Sequence, residues 1–255
     1  MKKIVSFTTI PSRIKFVEPV VKSILNQTIE IDEIHVQIPE FSSKEECYYE
    51  IPSFFKKYPK LKVVNHKKDE GSASKWYFPI QYLKDEEDTL LFIIDDDCTY
   101  QNNSIKKLFT NVIKDKSKCY AFTGGMLPRL PEKYKKFTVA SHSVKDSLTI
   151  IENNSDYINV DVVQGFSMYA VLPVWFKKFD FSIFKEGLSD YCDDMLLSSV
   201  LEYLSIEKVQ IGPYMIPDIL PQSEINPIHG DGRLTLKSMQ TLMHTQEKLS
   251  IWSDV

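Results

Sequence analysis

The sequence predicts a single α/β domain built on a mostly parallel sheet. The chain has 255 residues, of which 43% are hydrophobic, enough to form one sizeable core. Segments with strand-like and helix-like patterns alternate along the first half, which is typical of parallel sheets. The most hydrophobic run, residues 89–94 (TLLFII), is followed at once by three aspartates. Because ligands of such sheets bind at the carboxyl ends of the strands, the aspartates mark the expected site.

In the first half, the predicted strands are short β-rich or alternating runs, and the predicted helices carry apolar residues on one face. The run at 89–94 is apolar throughout and therefore predicts a central strand buried on both faces. A helix is also expected over 43–58, although Pro52 interrupts it. The predicted strands are 3–9, 33–38, 61–64 and 89–94, and the predicted helices are 16–26, 43–58, 75–83 and 104–115.

The second half is less regular. A strand over 119–123 ends in two glycines, and residues 128–155 are polar and loop-rich. A strand is predicted over 160–171 around Gly165, and a helix over 190–204. Residues 212–232 are rich in proline and irregular, and an amphipathic helix follows over 234–251.

The composition excludes several classes of protein. A net charge of -4 argues against a nucleic-acid binder, and with only 8 glycines the chain contains no glycine-rich phosphate loop. A nucleotide would therefore need a metal ion, a helix N-terminus or a few placed cations. The 4 cysteines are scattered, which predicts neither a zinc site nor disulfides. The first apolar run is too short for a signal peptide and no segment reaches transmembrane length, so a cytoplasmic protein is expected.

The acidic run Asp95, Asp96 and Asp97 is the first candidate site. In an extended chain, Asp95 and Asp97 face one side and Asp96 the other. Three carboxylates at the end of a buried strand repel one another unless a cation neutralises them. Carboxylate oxygens favour Mn²⁺ or Mg²⁺, and the D-x-D pattern therefore predicts a divalent metal site. The alternative is a solvated acidic turn.

The same run allows a second enzyme class. Asp95-x-Asp97-x-Thr99 resembles the first motif of haloacid-dehalogenase-like, Mg²⁺-dependent phosphatases, with Thr123 and the pair Asp193-Asp194 as possible later motifs. That family carries its first motif on its first strand, whereas three strand-like segments precede the run here. The acidic pair also lacks a preceding hydrophobic strand. Both features count against a phosphatase.

A more specific resemblance comes from residues 69–75 (DEGSASK). A short strand, then D-x-G-x-A-[ST]-K opening a helix, then a buried strand ending in DDD resembles the glycosyltransferase A-fold of nucleotide-diphospho-sugar transferases. It is similar to a bacterial and viral group with the loop D-x-G-P-A-T-K, although Ser72 replaces the proline. Residues 6–13 (SFTTIPSR) resemble that group's nucleotide-binding first strand.

The resemblance implies an α/β fold of the glycosyltransferase A type, a single Rossmann-like domain with a mixed, mainly parallel central sheet flanked by helices. Residues 1–125 would form a nucleotide-binding half. Residues 126–255 would form an acceptor-binding half with a C-terminal lid and helix. It also implies a nucleoside diphosphate sugar as donor and Mn²⁺ or Mg²⁺ as cofactor.

Roles follow from the resemblance residue by residue. Asp97 would ligate the metal directly, and Asp95 would touch the ribose, a metal-bound water or the metal. For Arg13 and Lys75 the alternative is ordinary surface charge. The residues expected to hold the donor are Thr8, Thr9, Arg13, Asp69, Lys75, Asp95 and Asp96.

Residues 190–196 (DYCDDML) resemble the Glu-Asp pair that opens a helix in this fold and supplies the catalytic base of inverting enzymes. Asp193 stands where Glu is usual, and Asp194 matches the base. A carboxylate there would accept the proton of the attacking acceptor hydroxyl. The alternative is structural, because acidic residues in the first turn of a helix stabilise it.

Residues 229–233 (HGDGR) resemble the C-terminal His and Arg that many enzymes of this fold close over the diphosphate. His229 would complete the metal shell and Arg233 would contact the donor. The flanking glycines suit a mobile lid. The alternative is a surface histidine with no role in binding.

The sequence therefore predicts a metal-dependent glycosyltransferase. It would move a sugar from a nucleoside diphosphate sugar, with UDP favoured, to a glycan or other hydroxyl acceptor, and inversion is favoured because Asp194 is a plausible base. No nucleic-acid partner and no transmembrane segment are expected. The alternatives are the phosphatase and a non-catalytic A-fold domain that binds sugar nucleotides. A nucleotidyltransferase is less favoured, since it would normally bring a glycine-rich triphosphate loop.

Overall fold

The computed structural model describes residues 1–127, 149–150, 157–184, 187–212, 215–227, 233–253 and 255. Most of the predicted loop 128–155 lies outside these ranges. The helices are α1 (Glu18–Leu25), α2 (Ser74–Leu83), α3 (Ser104–Lys114), α4 (Asp193–Tyr203) and α5 (Arg233–Leu249). The strands are β1 (Lys2–Thr8), β2 (Glu33–Pro39), β3 (Leu61–His66), β4 (Thr89–Ile93), β5 (Cys98–Thr99), β6 (Lys118–Ala121), β7 (Gly124–Met126), β8 (Thr149–Ile150), β9 (Tyr157–Asn159), β10 (Val162–Val163), β11 (Tyr169–Val171), β12 (Glu207–Ile211) and β13 (Asp218–Ile219).

The central sheet has eight strands in the order β3-β2-β1-β4-β11-β6-β12-β9. Strands β3, β2, β1 and β4 are mutually parallel, and β6 is parallel to β12. Strand β11 runs antiparallel to both β4 and β6, and β9 is antiparallel to β12. The predicted mixed, mainly parallel sheet is confirmed, and β11 joins its two parallel parts.

Helices cover both faces of the sheet because the central strands carry buried apolar side chains on both faces. In β4, Leu91 and Ile93 face one core, which also contains the apolar sides of α2, α4 and α5. Leu90 and Phe92 face the other core, which contains α1 and α3. A strand buried in this way ends where the chain leaves the core, and the acidic run begins there.

Two predicted elements differ in the structure. The helix predicted over 43–58 is wrong: an isolated bridge joins Ser42 to Cys47, and only a short 3-10 turn forms at Ser53–Lys57. Pro52 has an extended backbone, and a proline cannot donate the hydrogen bond that a helix interior needs. The strand predicted over 160–171 is two strands, β10 and β11, separated by a 3-10 turn at Gly165–Ser167.

Candidate active site

The candidate site lies at the carboxyl ends of β1 and β4. The two strands are parallel neighbours, and their pairing continues past β4, where the Ile94 amide donates to the Ser6 carbonyl at 3.1 Å. The turn after β1, which carries Thr9 and Arg13, therefore meets the acidic run after β4. The structure brings these sequence-predicted residues together at one edge of the sheet.

Asp96 points into the protein and is buried. Its carboxylate accepts hydrogen bonds from Thr9 Oγ1 at 2.6 Å and from Arg13 Nη1 at 3.2 Å. Burial raises the pKa of Asp96 to about 6, while the neighbouring guanidinium acts in the opposite direction. The side chains of Asp95 and Asp97 remain 30% and 17% exposed, so these are the two carboxylates that a ligand can reach.

Arg13 connects the acidic run to a C-terminal segment, residues 218–226, which we term the strap. Nη1 donates to Asp97 Oδ2 at 3.0 Å, Nε donates to the Ile225 carbonyl, and Nη2 donates to the Ser223 carbonyl, the last two at 2.8 Å. The strap also pairs with the run directly, since the Leu220 amide donates to the Asp97 carbonyl at 2.7 Å. The acidic run is thereby held from both sides.

Lys75 forms a second buried centre of charge. It is only 4% exposed, and its Nζ lies 2.6 Å from Asp95 Oδ1 and 2.7 Å from Asp193 Oδ2. Burial alone would lower the pKa of Lys75, but Asp193 and Asp95 outweigh it and hold that pKa well above its usual value. One ammonium group therefore joins the acidic motif after β4 to the acidic pair that opens α4.

Asp194 lies beside this centre in a different environment. Its Oδ1 accepts a hydrogen bond from the Gly165 amide at 3.0 Å. Burial, and then the negative charge of Asp193, raise the pKa of Asp194 well above its usual value. Burial also acts to raise the pKa of Asp193, but the attraction of Lys75 is stronger and the net shift is downward. The pair thus divides into an ionised partner of Lys75 and a carboxyl that binds a proton readily.

Gly165 allows this arrangement because of its size. A Cβ atom at this position would lie 2.8 Å from Lys75 Nζ and 3.2 Å from Asp194 Oδ1. Any side chain at this position would have to displace the Lys75 ammonium group or the Asp194 carboxylate. The structure places Gly165 against the predicted base, Asp194.

Two tyrosines at the site were not predicted. The buried Tyr100 hydroxyl donates to the Phe166 carbonyl at 3.0 Å and accepts from the Asp95 amide at 3.1 Å, which ties the Gly165 turn to the acidic run. The Tyr169 hydroxyl is buried beside the charges of Lys75 and Asp194 and has no hydrogen-bond partner among the described residues. In a chain with 13 tyrosines, no sequence signal distinguishes these two from core residues.

The remaining predicted residues either form structural hydrogen bonds or lie outside the described ranges. Thr8 Oγ1 donates to the Gln37 carbonyl at 2.8 Å. Asp69 accepts hydrogen bonds from the amides of Ser43 and Gly71, both at 2.8 Å, and so orders the loop that leads to Lys75. His229 lies outside the described residues. Arg233 is described only as the first backbone position of α5, so the predicted lid is not part of this description.

The carboxylates of Asp95 and Asp97 are the candidate ligands for a divalent ion. Within the described ranges, no three His, Cys, Asp or Glu side chains converge on one point. Asp95 and Asp97 each use one oxygen for an ion pair, with Lys75 and Arg13 respectively. Mg²⁺ binds through one or two carboxylates when substrate phosphates and water complete its shell. Asp95 and Asp97 fit an ion held jointly with a diphosphate, rather than one enclosed by protein alone.

Comparisons with known proteins identify a family and a similar fold. The model of the family described as "Glycosyl transferase family 2" matches residues 10–171. Among solved structures, the chain is similar to GalNAc-T7 crystallised with UDP, GalNAc and Mn²⁺, with a TM-score of 0.61 and 13% identity. The match covers 97% of this chain and 48% of that one, so the chain spans about half the length of that neighbour. At this identity the likeness shows the fold alone. No curated protein matches the chain.

Across the described ranges, no helix combines the length and apolar character needed to span a bilayer.

Proposed function

The chain belongs to glycosyl transferase family 2, and from that premise we propose that it transfers a sugar from a UDP-sugar to a hydroxyl acceptor, with inversion and with a divalent metal. The glycosyltransferase A-fold and the assignment to the glycosyltransferases, both expected from the sequence, are confirmed. The nucleotide, the metal and the stereochemistry belong to the proposal.

One observation carries the proposal. Lys75 bridges Asp95, in the motif expected to hold the donor, and Asp193, in the pair expected to supply the base. Two carboxylates far apart in the sequence thus share one buried cation. A donor bound at Asp95 would lie beside Asp194, which is the geometry that a direct displacement at the anomeric carbon requires.

In the proposed reaction, the acceptor hydroxyl attacks the anomeric carbon of the sugar while the bond from that carbon to the diphosphate oxygen breaks. The hydroxyl proton passes to Asp194, which must be ionised to accept it. The nucleoside diphosphate leaves with the electron pair of the broken bond. The Gly165 amide holds the Asp194 carboxylate in place, and Asp193 with Lys75 fixes the start of α4 beside it.

Asp97 and Asp95 would hold Mn²⁺ or Mg²⁺ through the oxygens that their ion pairs leave available, and His229 is proposed to complete the shell. When bound, the ion would supply positive charge to the leaving diphosphate. The neighbour crystallised with UDP and Mn²⁺ supports this choice of nucleotide and metal. The residues proposed to contact the donor are Thr8, Thr9, Asp69, Lys75, Asp95 and Arg233. Asp96 is buried and Arg13 is bound to other groups, so these two would act on the donor site indirectly.

The domain organisation is proposed on the same basis. Residues 1–125 would bind the nucleotide, and residues 126–255 would bind the acceptor, a glycan or another hydroxyl compound. The antiparallel pairing of β11 with β4 and with β6 supports one domain, because it makes a continuous sheet of the two halves. The phosphatase alternative finds no support in the fold, since the acidic run follows the fourth strand of the chain.

The test is a panel of UDP-sugars and hydroxyl acceptors, each assayed for UDP release and product formation with Mn²⁺ and with EDTA. We expect transfer only with metal, and a product of inverted anomeric configuration. Tight nucleotide binding without turnover on any acceptor would instead indicate a non-catalytic sugar-nucleotide-binding domain. Release of inorganic phosphate from phosphate esters would indicate a phosphatase.

A further inference from the structure

We infer that Arg13 is a positioning residue rather than a ligand of the diphosphate: its guanidinium fixes Asp97, the proposed metal ligand, to the 218–226 strap. The inference rests on the proposed function insofar as Asp97 is taken to hold the metal. It differs from the role expected for Arg13 from the sequence, in which the side chain lines the donor pocket. The contacts of the guanidinium favour the positioning role, because they are made to the strap and to the acidic run.

Four hydrogen bonds already occupy most of the N–H donors of Arg13. A guanidinium has five N–H groups in a fixed plane. In Arg13, Nη1 donates to both Asp96 and Asp97, Nε donates to the Ile225 carbonyl and Nη2 donates to the Ser223 carbonyl. The residue is only 9% exposed. Bidentate recognition of a phosphate needs a free edge of the guanidinium, and here the edges face the strap and the carboxylates.

The strap is held at its end by a second set of contacts next to Arg13. Glu45 accepts hydrogen bonds from the Ser12 amide at 2.8 Å and from Asn226 Nδ2 at 3.1 Å. Lys44 Nζ donates to the Asn226 carbonyl at 2.6 Å. Residues 12 and 13 therefore anchor the strap through two independent routes, of which only the route through Arg13 reaches the acidic run.

Charge explains why an arginine is needed here. Asp96 and Asp97 repel each other, and both are largely withdrawn from water. Arg13 offsets this repulsion while using only one oxygen of Asp97. Lysine at this position would keep the charge, but it has no planar fork that could serve two carbonyls and two carboxylates together.

The decisive experiment compares Arg13→Lys with the exposed neighbour control Lys15→Gln. Three quantities are measured without sugar donor or acceptor: hydrogen exchange of the Leu220 and Ser223 amides, Mn²⁺ affinity by titration, and UDP affinity in EDTA. For Arg13→Lys we expect strap exchange and the Mn²⁺ dissociation constant each to rise roughly tenfold or more, because charge-assisted hydrogen bonds are lost. UDP affinity in EDTA should change less than about twofold, the size of effect expected where no contact is removed.

A further variant, Glu45→Gln, loosens only the other route. It should raise strap exchange while leaving Mn²⁺ affinity at the wild-type value. The inference is overturned if Arg13→Lys weakens UDP binding in EDTA as much as Mn²⁺ binding and leaves strap exchange unchanged, since Arg13 would then be a direct ligand. None of these readouts requires turnover. A wild-type protein that transfers no sugar would therefore refute the proposed function, but it would not change the exchange or affinity differences expected for Arg13→Lys.

Discussion

Two buried cations organise the two ends of the site in different ways. Arg13 lies among the carboxylates of Asp96 and Asp97 and is tied to backbone carbonyls of the strap. Lys75 forms ion pairs with both Asp95 and Asp193 through its single nitrogen, Nζ. The planar fork of arginine fixes several oxygens at once, whereas the ammonium of lysine is a compact point charge.

The difference matches what each end is proposed to do. A metal-holding carboxylate benefits from a fixed position, which Arg13 provides to Asp97. A general base must change its protonation state during the reaction. Lys75 keeps Asp193 ionised, and that charge in turn helps to raise the pKa of Asp194. The substitutions below test this division between a fixed end and a titrating end.

The largest effect is expected for Asp194→Asn. The amide keeps the shape of the side chain but cannot accept a proton, so sugar transfer should fall by about 10²- to 10⁴-fold. Binding of the UDP-sugar should remain unchanged. Kinetics and donor titration check both points, with the exposed Asp190→Asn as the matched control. Transfer at the wild-type rate would mean that Asp194 only stabilises the start of α4, or that the reaction retains configuration.

Lys75→Met should destabilise the fold strongly, because it leaves the carboxylates of Asp95 and Asp193 without their buried partner. Breaking a buried ion pair from one side typically costs about 3–5 kcal/mol. Urea unfolding measures the loss, with the exposed Lys106→Met as control. The double variant Lys75→Met/Asp193→Asn should recover part of the stability. If the double variant is no more stable than the single one, Asp193 is not the main partner of Lys75.

Asp97→Ala should remove the metal-dependent part of nucleotide binding. A ligand at a hundredfold excess over its dissociation constant stabilises a protein by about 2.7 kcal/mol. UDP with Mn²⁺ should therefore raise the melting temperature of the wild type, and the variant should respond to UDP with Mn²⁺ no more than to UDP with EDTA. The exposed Asp85→Asn serves as a control for lost surface charge. An unchanged Mn²⁺ response in Asp97→Ala would refute the metal assignment.

The smallest effect is a shift in pH dependence. Because Asp194 must lose its proton to act, transfer should rise with pH through its raised pKa. Asp193→Asn removes a negative charge that contributes to the raise, so the acidic limb of the kcat/KM profile should move to lower pH. The raised pKa also means that the native state binds this proton more tightly than the unfolded state does. The contribution of Asp194 to stability should therefore fall as pH rises through that pKa. If the acidic limb of the kcat/KM profile lies at the same pH in Asp193→Asn and in the wild type, a group other than Asp194 determines that limb.

Much of the fold could be predicted because the signals are local. The apolar run of β4 and the apolar faces of α1 and α3 are visible within short windows of sequence. The helix predicted over 43–58 failed because its polar residues contact other loops, as in the bonds from Glu45 to Ser12 and Asn226. Such contacts lie far apart in the chain and have no periodicity.

The types of residue at the site could also be predicted, but not their partners. The sequence identifies Arg13 and Lys75 as placed cations. It cannot show that Arg13 is bound by the carbonyls of Ser223 and Ile225, since every residue carries a carbonyl. It cannot show that Lys75 reaches Asp193, because that contact depends on how the sheet closes. Tyr100 was missed for the same reason, as its partners are a backbone amide and a backbone carbonyl.

The placement of β11 has a consequence for how the protein is made. Strands β1 to β4 pair only with one another until β11, more than seventy residues further along the chain, joins the edge of β4. During synthesis the N-terminal part of a chain emerges and folds first, and pairings between distant segments form slowly. The acidic run would therefore form on a nascent chain before the Gly165 turn and Asp194 exist. We expect a polypeptide released at that stage to carry the carboxylates of a donor site without any means of using a donor, so interrupted synthesis should yield catalytically silent fragments.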